Sequence, residues 1–192
     1  MFIGDYMSEY RNIIIILLFL VSIFVFFYNV MLIKRNKASN AFSSLDVMLK
    51  KRYDLIPNLV NVVRGYSDFE KSVFTDITKL RNELINSNDK NEILEKNVSL
   101  AIELNKLIAY VENYPDLKAN KNYLELQKSL YKIEEQISAA RRTYNAHVTN
   151  YNNFIQFFPN NIFAKIFGFK RLEWFVFEEN DNIGVDFDEN NR

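Results

Sequence analysis

The chain is poor in histidine, cysteine and glycine, on which many catalytic, metal and phosphate sites depend, and their spacing matches no catalytic arrangement. It holds one histidine, no cysteine and four glycines among 192 residues. A ferritin-like di-metal centre needs Glu-x-x-His pairs on two helices, but Tyr144 stands three residues before His147. A catalytic Ser-His-Asp triad would need a nucleophile elbow near that histidine, and the sequence has none. The four glycines are too scattered to form a phosphate-binding loop. The sequence therefore predicts a non-enzymatic protein with no metal and no cofactor.

Charged residues that interrupt apolar helical seams are the next candidates. Arg52 falls between Leu49 and Ile56, and Glu70 interrupts the following seam in the same way. A buried charge is costly without a partner, so these positions predict an internal polar layer that fixes helix register. We favour this structural role over a ligand site. The predicted layer joins Glu70 to Arg141, and Asp46 to Arg52 or Arg142.

The spacing of apolar residues predicts helices that pack on helices. Apolar side chains recur three and four positions apart over long stretches. Glycine and proline are scarce, at 4 and 3 residues, which disfavours turn-rich sheets. Pro57 predicts a break or kink near residues 54–57, with Asp54 as the N-cap of the next helix. The predicted helical segments cover residues 42–56, 58–87, 94–111 and 121–157.

These segments predict an all-α fold. Short turns between them favour an elongated antiparallel up-down bundle of three or four long helices over residues 34–158. A dimeric coiled coil is the alternative. It fits less well, because the polar turn at residues 86–91 and the Tyr-Pro-Asp turn at residues 114–116 would interrupt a continuous rod.

One apolar segment, Ile13 to Ile33, predicts a transmembrane anchor behind a short N-terminal segment of residues 1–12. Its 21 residues carry no charge and would span ~31 Å as an α-helix, close to the ~30 Å hydrocarbon core of a bilayer. The run is longer than the apolar region of a signal peptide and has no small-residue cleavage site, so we expect an uncleaved anchor. No residue between Lys34 and Phe42 breaks a helix, so the anchor helix is expected to continue into the domain.

Basic residues are concentrated on the C-terminal side of this anchor. Arg11 precedes it, whereas Lys or Arg follows at positions 34, 35, 37 and 50–52. The positive-inside rule then predicts an external N-terminus and a cytoplasmic domain. Over the whole chain, 24 basic residues balance 24 acidic ones, so no net field attracts nucleic acid.

Two interpretations compete for the aromatic-rich residues 159–177. The segment either caps the open end of the bundle or lies at the membrane interface, with Trp174 and Phe175 among the lipid headgroups. We favour the cap, because exposed apolar patches of this density are uncommon. Residues 178–192 hold six acids and little apolar surface, which predicts a mobile tail.

Three blocks of sequence resemble the LemA family. The first is NAFSSLDVMLKKRYDLIPNLVNVVRGYSDFEK at residues 40–71, and the second is YPDLKANKNYLELQKSL at residues 114–130. The third is ISAARRTYNAHVTNYNNFIQFFPNNIFAKIFGF at residues 137–169. With the anchor, the resemblance covers most of residues 10–175. It implies a bacterial, single-pass inner-membrane protein with a helical-bundle domain and an outward N-terminus, but no biochemical activity.

The predicted partners are the bilayer, through residues 13–33, and an unidentified protein. The first hypothesis is a membrane-tethered interaction module or scaffold. The second is a membrane-organising or lipid-binding protein that uses the aromatic segment. A third, a ligand sensor, would need a pocket inside the bundle, which Tyr66, Tyr144 and Tyr151 could line. A homo-oligomer is one alternative for the interaction module.

Overall fold

The computed structural model describes the backbone of residues 2–65 and 71–176 and the side chains of residues 10–65 and 73–176. All regular elements in these ranges are helices, which confirms the all-α prediction. Glu70, Tyr66 and the predicted tail at 178–192 lie outside the described residues. The helices are α1 Phe2–Arg64, α2 Lys71–Asn86, α3 Lys90–Val111, α4 Pro115–Lys118, α5 Lys121–Gln156 and α6 Asn160–Ile166.

Helix α1 joins the apolar anchor to the bundle without interruption. It is 63 residues long, or ~95 Å at the α-helical rise. Within the described residues, this is the one helix long and apolar enough to cross a membrane. None of the residues in its most apolar window is buried in the isolated chain. A single rod therefore carries both the anchor and one wall of the bundle.

The predicted break near residues 54–57 is wrong, because α1 continues through Pro57 to Arg64. Proline has no N–H to donate to the carbonyl four residues earlier, which belongs to Tyr53. In the structure, Arg81 Nε donates to the Tyr53 carbonyl oxygen at 2.8 Å. A side chain from α2 thus replaces the missing helical bond. Asp54 is consequently inside a helix and is not an N-cap.

Contacts between side chains give the direction of each long helix. Arg64 lies over the Phe74 ring at 5.5 Å, so α2 starts beside the end of α1 and runs back along it. Helix α3 turns again after the N-cap Asp89, whose carboxylate accepts from the Asn91 N–H at 2.9 Å. Lys90 in its first turn is 3.4 Å from Ser39 Oγ. The four long helices α1, α2, α3 and α5 form the predicted up-down bundle.

Helix α5 runs antiparallel to α1 over most of the length of α5. Asn120 is its N-cap and accepts from the N–H groups of Asn122 and Tyr123 at 2.9 and 3.1 Å. Its bounds, Lys121–Gln156, match the predicted segment to one residue. The buried apolar side chains of this helix recur at spacings of three, four and seven positions, at Tyr123, Leu130, Ile137, Tyr144, Val148, Tyr151 and Ile155.

The chain reverses after α6 and returns along α5. Gly168 has a φ of +71°, a conformation that favours glycine. The Gly168 N–H donates to the Lys165 carbonyl at 3.3 Å and the Phe169 N–H to the Ala164 carbonyl at 2.9 Å, which is the Schellman pattern. The following residues 169–176, here called the strap, have no regular secondary structure and lie on α5.

Candidate functional site

A buried polar cluster lies between α1, α3 and α5. Arg52 is 1% exposed, and its Nη1 donates to Glu134 Oε1 at 3.0 Å. Its Nη2 donates to Asn97 Oδ1 at 2.5 Å. The Tyr53 hydroxyl donates to the same Asn97 oxygen at 2.8 Å. Asn97 in turn donates from Nδ2 to the Ile93 carbonyl at 2.6 Å, so one asparagine joins two helices.

The chemistry of this cluster is that of fixed hydrogen bonds. Burial raises the pKa of Tyr53 to about 12, against the smaller opposing effect of the Asn97 hydrogen bond. The phenol is therefore a neutral donor near neutral pH and cannot act as a base. Arg52 Nε has no hydrogen-bond partner among the described residues. Nor do those residues contain a group of three or more His, Asp or Glu able to hold a metal.

The predicted polar layer corresponds to these positions only in part. Arg52 is inside the bundle, but its partners are Glu134 and Asn97. Asp46 forms an ion pair with Lys50 at 2.8 Å on the same helix. The proposed pairing of Arg141 with Glu70 lies outside the described residues on the Glu70 side, and Arg141 is half-buried on α5.

The residues that the sequence analysis missed had a recognisable signal. Asn97 lies three residues after Leu94 and four before Ala101, so it occupies the same seam as the buried residues of α3. A polar residue at such a position is a candidate for an internal hydrogen-bonding group. Glu134 has a similar signal, since it lies four residues after Leu130 and three before Ile137, which are both buried residues of α5.

A second polar arrangement attaches the strap to α5. Two Tyr-Asn pairs, at residues 144–145 and 151–152, lie seven positions apart; we call these four residues the clamp. The side-chain oxygen of each asparagine accepts a hydrogen bond from a backbone N–H of the strap, and its side-chain nitrogen donates to the carbonyl of that same strap residue. Asn152 pairs in this way with Leu172 at 2.9 and 2.8 Å. Asn145 pairs with Phe175 at 2.9 and 3.0 Å.

The tyrosine of each Tyr-Asn pair adds a third hydrogen bond to the strap. Tyr151 donates to the Lys170 carbonyl at 2.9 Å, and Tyr144 donates to the Glu173 carbonyl at 2.8 Å. Burial raises the pKa of both hydroxyls, so they remain donors. Seven residues of α-helix advance ~10.5 Å, and three residues of extended chain advance ~10 Å. The repeat of the helix therefore matches the repeat of the strap.

The strap also positions the two residues predicted at the membrane interface. Phe175 is 3% exposed and belongs to the hydrophobic core of the bundle. Trp174 is 43% exposed, and its indole Nε1 donates to Thr149 Oγ1 at 2.9 Å. Both side chains contact the bundle, as the cap interpretation requires of this part of the segment.

Helix α6 packs against the anchor half of α1. The Phe163 ring stacks on Phe27 with centroids 4.5 Å apart and meets Phe24 edge-on at 5.1 Å. The Phe167 ring lies 5.2 Å from Tyr28. All three of these α1 residues belong to the apolar segment that predicts the anchor. The anchor and the domain are thus joined by side-chain packing as well as by α1 itself.

Comparison with known proteins identifies a family and several relatives of this chain. The model of the LemA family matches residues 41–187. Protein LemA of Metamycoplasma hominis is 29% identical over 181 residues, covering 91% of this chain and 83% of that protein. Magnetosome protein MamQ of Magnetospirillum gryphiswaldense is 26% identical over 174 residues, covering 77% of this chain but 64% of that protein. Magnetosome protein MamQ 2 of Paramagnetospirillum magneticum is 28% identical over 159 residues, covering 69% and 58%.

The chain spans less than two thirds of the length of either magnetosome relative. Protein LemA is matched over most of its length, and the family match covers α2 to α6 together with the bundle part of α1. The matched region includes the polar cluster, the clamp and α6. This membrane-associated helical protein belongs to the LemA family.

Proposed function

We propose that this protein is a membrane-anchored, non-enzymatic interaction module that holds its bundle at a set angle to the bilayer. The continuity of α1 from the anchor to Arg64 carries the proposal. Helix α5 packs beside α1 at the membrane boundary, where Lys34 Nζ lies 4.9 Å from the Phe154 ring. Two helices therefore cross the junction, and the domain cannot swing as it would on a flexible linker.

The proposed topology places the N-terminus outside and the bundle in the cytoplasm of a bacterial cell. The basic residues at positions 34, 35 and 37 favour this orientation by the positive-inside rule. Lys165, Lys170 and Arg171 are also exposed, on α6 and the strap close to the anchor. The folded domain thus adds positive charge on the same side of the bilayer.

Photo-crosslinking in living cells tests the interaction function. A photoreactive residue replaces Ile102 on α3 or, separately, Tyr131 on α5; both are exposed, at 48% and 58%. We expect a discrete adduct with one protein from one of these faces and a much weaker one from the other. An adduct between two copies of the chain would identify the partner as the protein itself. Equal, diffuse labelling from both faces, or none, would contradict the proposal.

A second candidate function is membrane organisation. The packing of α6 against Phe24, Phe27 and Tyr28 of the anchor favours it, because it brings an aromatic segment to the bilayer. Two relatives carry the name magnetosome protein. A ligand sensor has less support, since the hydroxyls of Tyr144 and Tyr151 are engaged by the strap.

A further inference from the structure

We propose that residues 157–167, here called the foot, form a second membrane-embedded element. The foot comprises Phe157, Phe158 and the chain through α6 to Phe167. Its occupant is the acyl chains of the leaflet on the domain side of the bilayer. The proposal is independent of which partner the bundle binds. Four exposed apolar side chains make the lipid contact, namely Phe157, Phe158, Ile162 and Ile166.

The depth of the foot follows from its contacts with α1. Phe163 touches Phe27 and Phe24, which precede Ile33 by six and nine residues in one continuous helix. At the α-helical rise these positions lie ~9 and ~14 Å inside the end of the anchor segment. Half of a hydrocarbon core is ~15 Å thick. A helix packed at that level lies among acyl chains and not in water.

The outer face of the foot has the chemistry that this position requires. Phe157, Phe158, Ile162 and Ile166 are 65%, 81%, 49% and 60% exposed. Such a group would be an unusual patch on a surface in water, whereas it is the ordinary surface of a protein in lipid. Lys165 is the one cation of α6, and its long side chain can extend its ammonium group toward the headgroups.

The foot also forms backbone hydrogen bonds within itself at both ends of α6, as a lipid environment favours. At the start, the Asn161 N–H donates to the Phe157 carbonyl at 2.9 Å and the Ile162 N–H to the Pro159 carbonyl at 3.1 Å. At the end, the Phe167 N–H donates to the Phe163 carbonyl at 2.9 Å, beside the Schellman bonds of Gly168. Asn160 is 9% exposed, so its amide is withdrawn from the lipid-facing side.

A spin-label experiment measures the depth directly. The chain contains no cysteine, so Ile166→Cys or Phe158→Cys introduces a single labelling position on an exposed side chain. The labelled full-length protein is reconstituted in phosphatidylcholine vesicles. Collision of the label with oxygen, which concentrates in lipid, is compared with collision with a water-soluble nickel chelate. The matched controls are Phe19→Cys in the anchor and Ile102→Cys in α3, which are 65% and 48% exposed in the isolated chain.

We expect the labels at positions 158 and 166 to behave like the label at 19, with oxygen collisions exceeding nickel collisions, and the label at 102 to show the reverse. Nickel access equal to that of position 102 would place the foot in water and overturn the proposal. Low access to both reagents, with dipolar coupling between labels, would place a second copy on this face and overturn it equally. Neither result depends on the crosslinking that tests the interaction function.

Discussion

Asn97 is the residue on which the polar cluster depends. It is fully buried, and its side-chain oxygen accepts from both Arg52 and Tyr53. Neither donor can turn to water, because Arg52 is 1% and Tyr53 2% exposed. An unpaired buried donor is costlier than the bond itself is stabilising. Asn97 therefore contributes more to the free energy of folding than its own three hydrogen bonds alone would.

Asn97→Ala is expected to lower the free energy of unfolding by about 2 to 4 kcal/mol, since Arg52 and Tyr53 both lose the side-chain oxygen to which they donate. Urea titration of the full-length protein in detergent micelles, followed by circular dichroism, measures the change. Asn105→Ala is the matched control, because Asn105 is an exposed asparagine of the same helix. A loss no larger than that of the control would show that the cluster does not depend on this residue.

At this scale the sequence indicated that Arg52 interrupts an apolar seam, but not which residues compensate its charge. Arg52 was identifiable because it interrupts the seam formed by Leu49 and Ile56. Its partners come from α3 and α5, at sequence separations of 45 and 82 residues. Such pairings depend on the relative rotation and register of the helices, which apolar periodicity alone does not define.

Among the elements, α1 departs furthest from local sequence rules. A proline inside a helix removes one hydrogen bond and crowds the preceding turn, and this local cost led to the predicted break at Pro57. Packing reverses that outcome, because residues on both sides of Pro57 are buried in the same core, including Tyr53, Leu59 and Val63. The Arg81 side chain then satisfies the free carbonyl.

Arg81→Ala is expected to reduce stability by about 1 to 2 kcal/mol, the range for a partly exposed charged hydrogen bond. The cost should become much smaller in a Pro57→Ala background, because alanine restores the N–H that bonds to the Tyr53 carbonyl. A double-mutant cycle on urea unfolding measures this coupling. Lys79→Ala, at an exposed position of α2, supplies the control. Equal costs of Arg81→Ala in both backgrounds would refute the compensation.

The strap is an element that the sequence analysis did not resolve. Residues 169–176 were included in a cap or interfacial segment, and their register on α5 was not foreseen. The repeat of Tyr-Asn at residues 144–145 and 151–152 was the available signal. It was hard to recognise because the tyrosines alone fit an ordinary apolar seam. The adjacent asparagines acquire a role only when an extended chain lies beside them.

Asn152→Ala should release the strap while leaving the helices folded, because it removes both bonds to Leu172. The chain has a single tryptophan, Trp174, which lies in the strap and reports on its detachment. We expect a shift of its emission to longer wavelength and stronger quenching by acrylamide, with unchanged helical circular dichroism. Asn153→Ala alters the exposed neighbouring asparagine and should change neither signal. Unaltered emission in the Asn152 variant would show that the Asn152 hydrogen bonds do not hold the strap on α5.

At the scale of the whole molecule, the bundle narrows toward the anchor segment of α1. The α2–α3 hairpin ends near Ser39, which Lys90 contacts, so four helices surround the core only above that level. Below it, α5, the strap and α6 cover α1, and Met31 becomes fully buried against Tyr151, Ile155 and Ala164. The aromatic C-terminal region therefore occupies the space left by the shorter hairpin. The sequence analysis did not predict this division, because the expected break at Pro57 assigned residues 58–64 to the second helix and made the hairpin too long.

The narrow end of the molecule also carries basic residues close to the anchor segment, at positions 34, 35, 37, 165, 170 and 171, and the proposed orientation in the membrane should depend on them. Replacing Lys34, Arg35 and Lys37 with asparagine in one variant removes the basic residues that directly follow the anchor, so a measurable fraction of molecules should insert with the domain outside. A C-terminal tag on intact cells, tested for digestion by an external protease, measures that fraction. The control replaces Lys121, Lys128 and Lys132, three exposed lysines of α5 far from the membrane. Because positive charge acts on orientation only near the ends of a span, this control should leave the tag fully protected. Equal protection of the tag in both variants would mean that orientation is fixed by other features, with Lys165, Lys170 and Arg171 of the folded domain the next basic residues to replace.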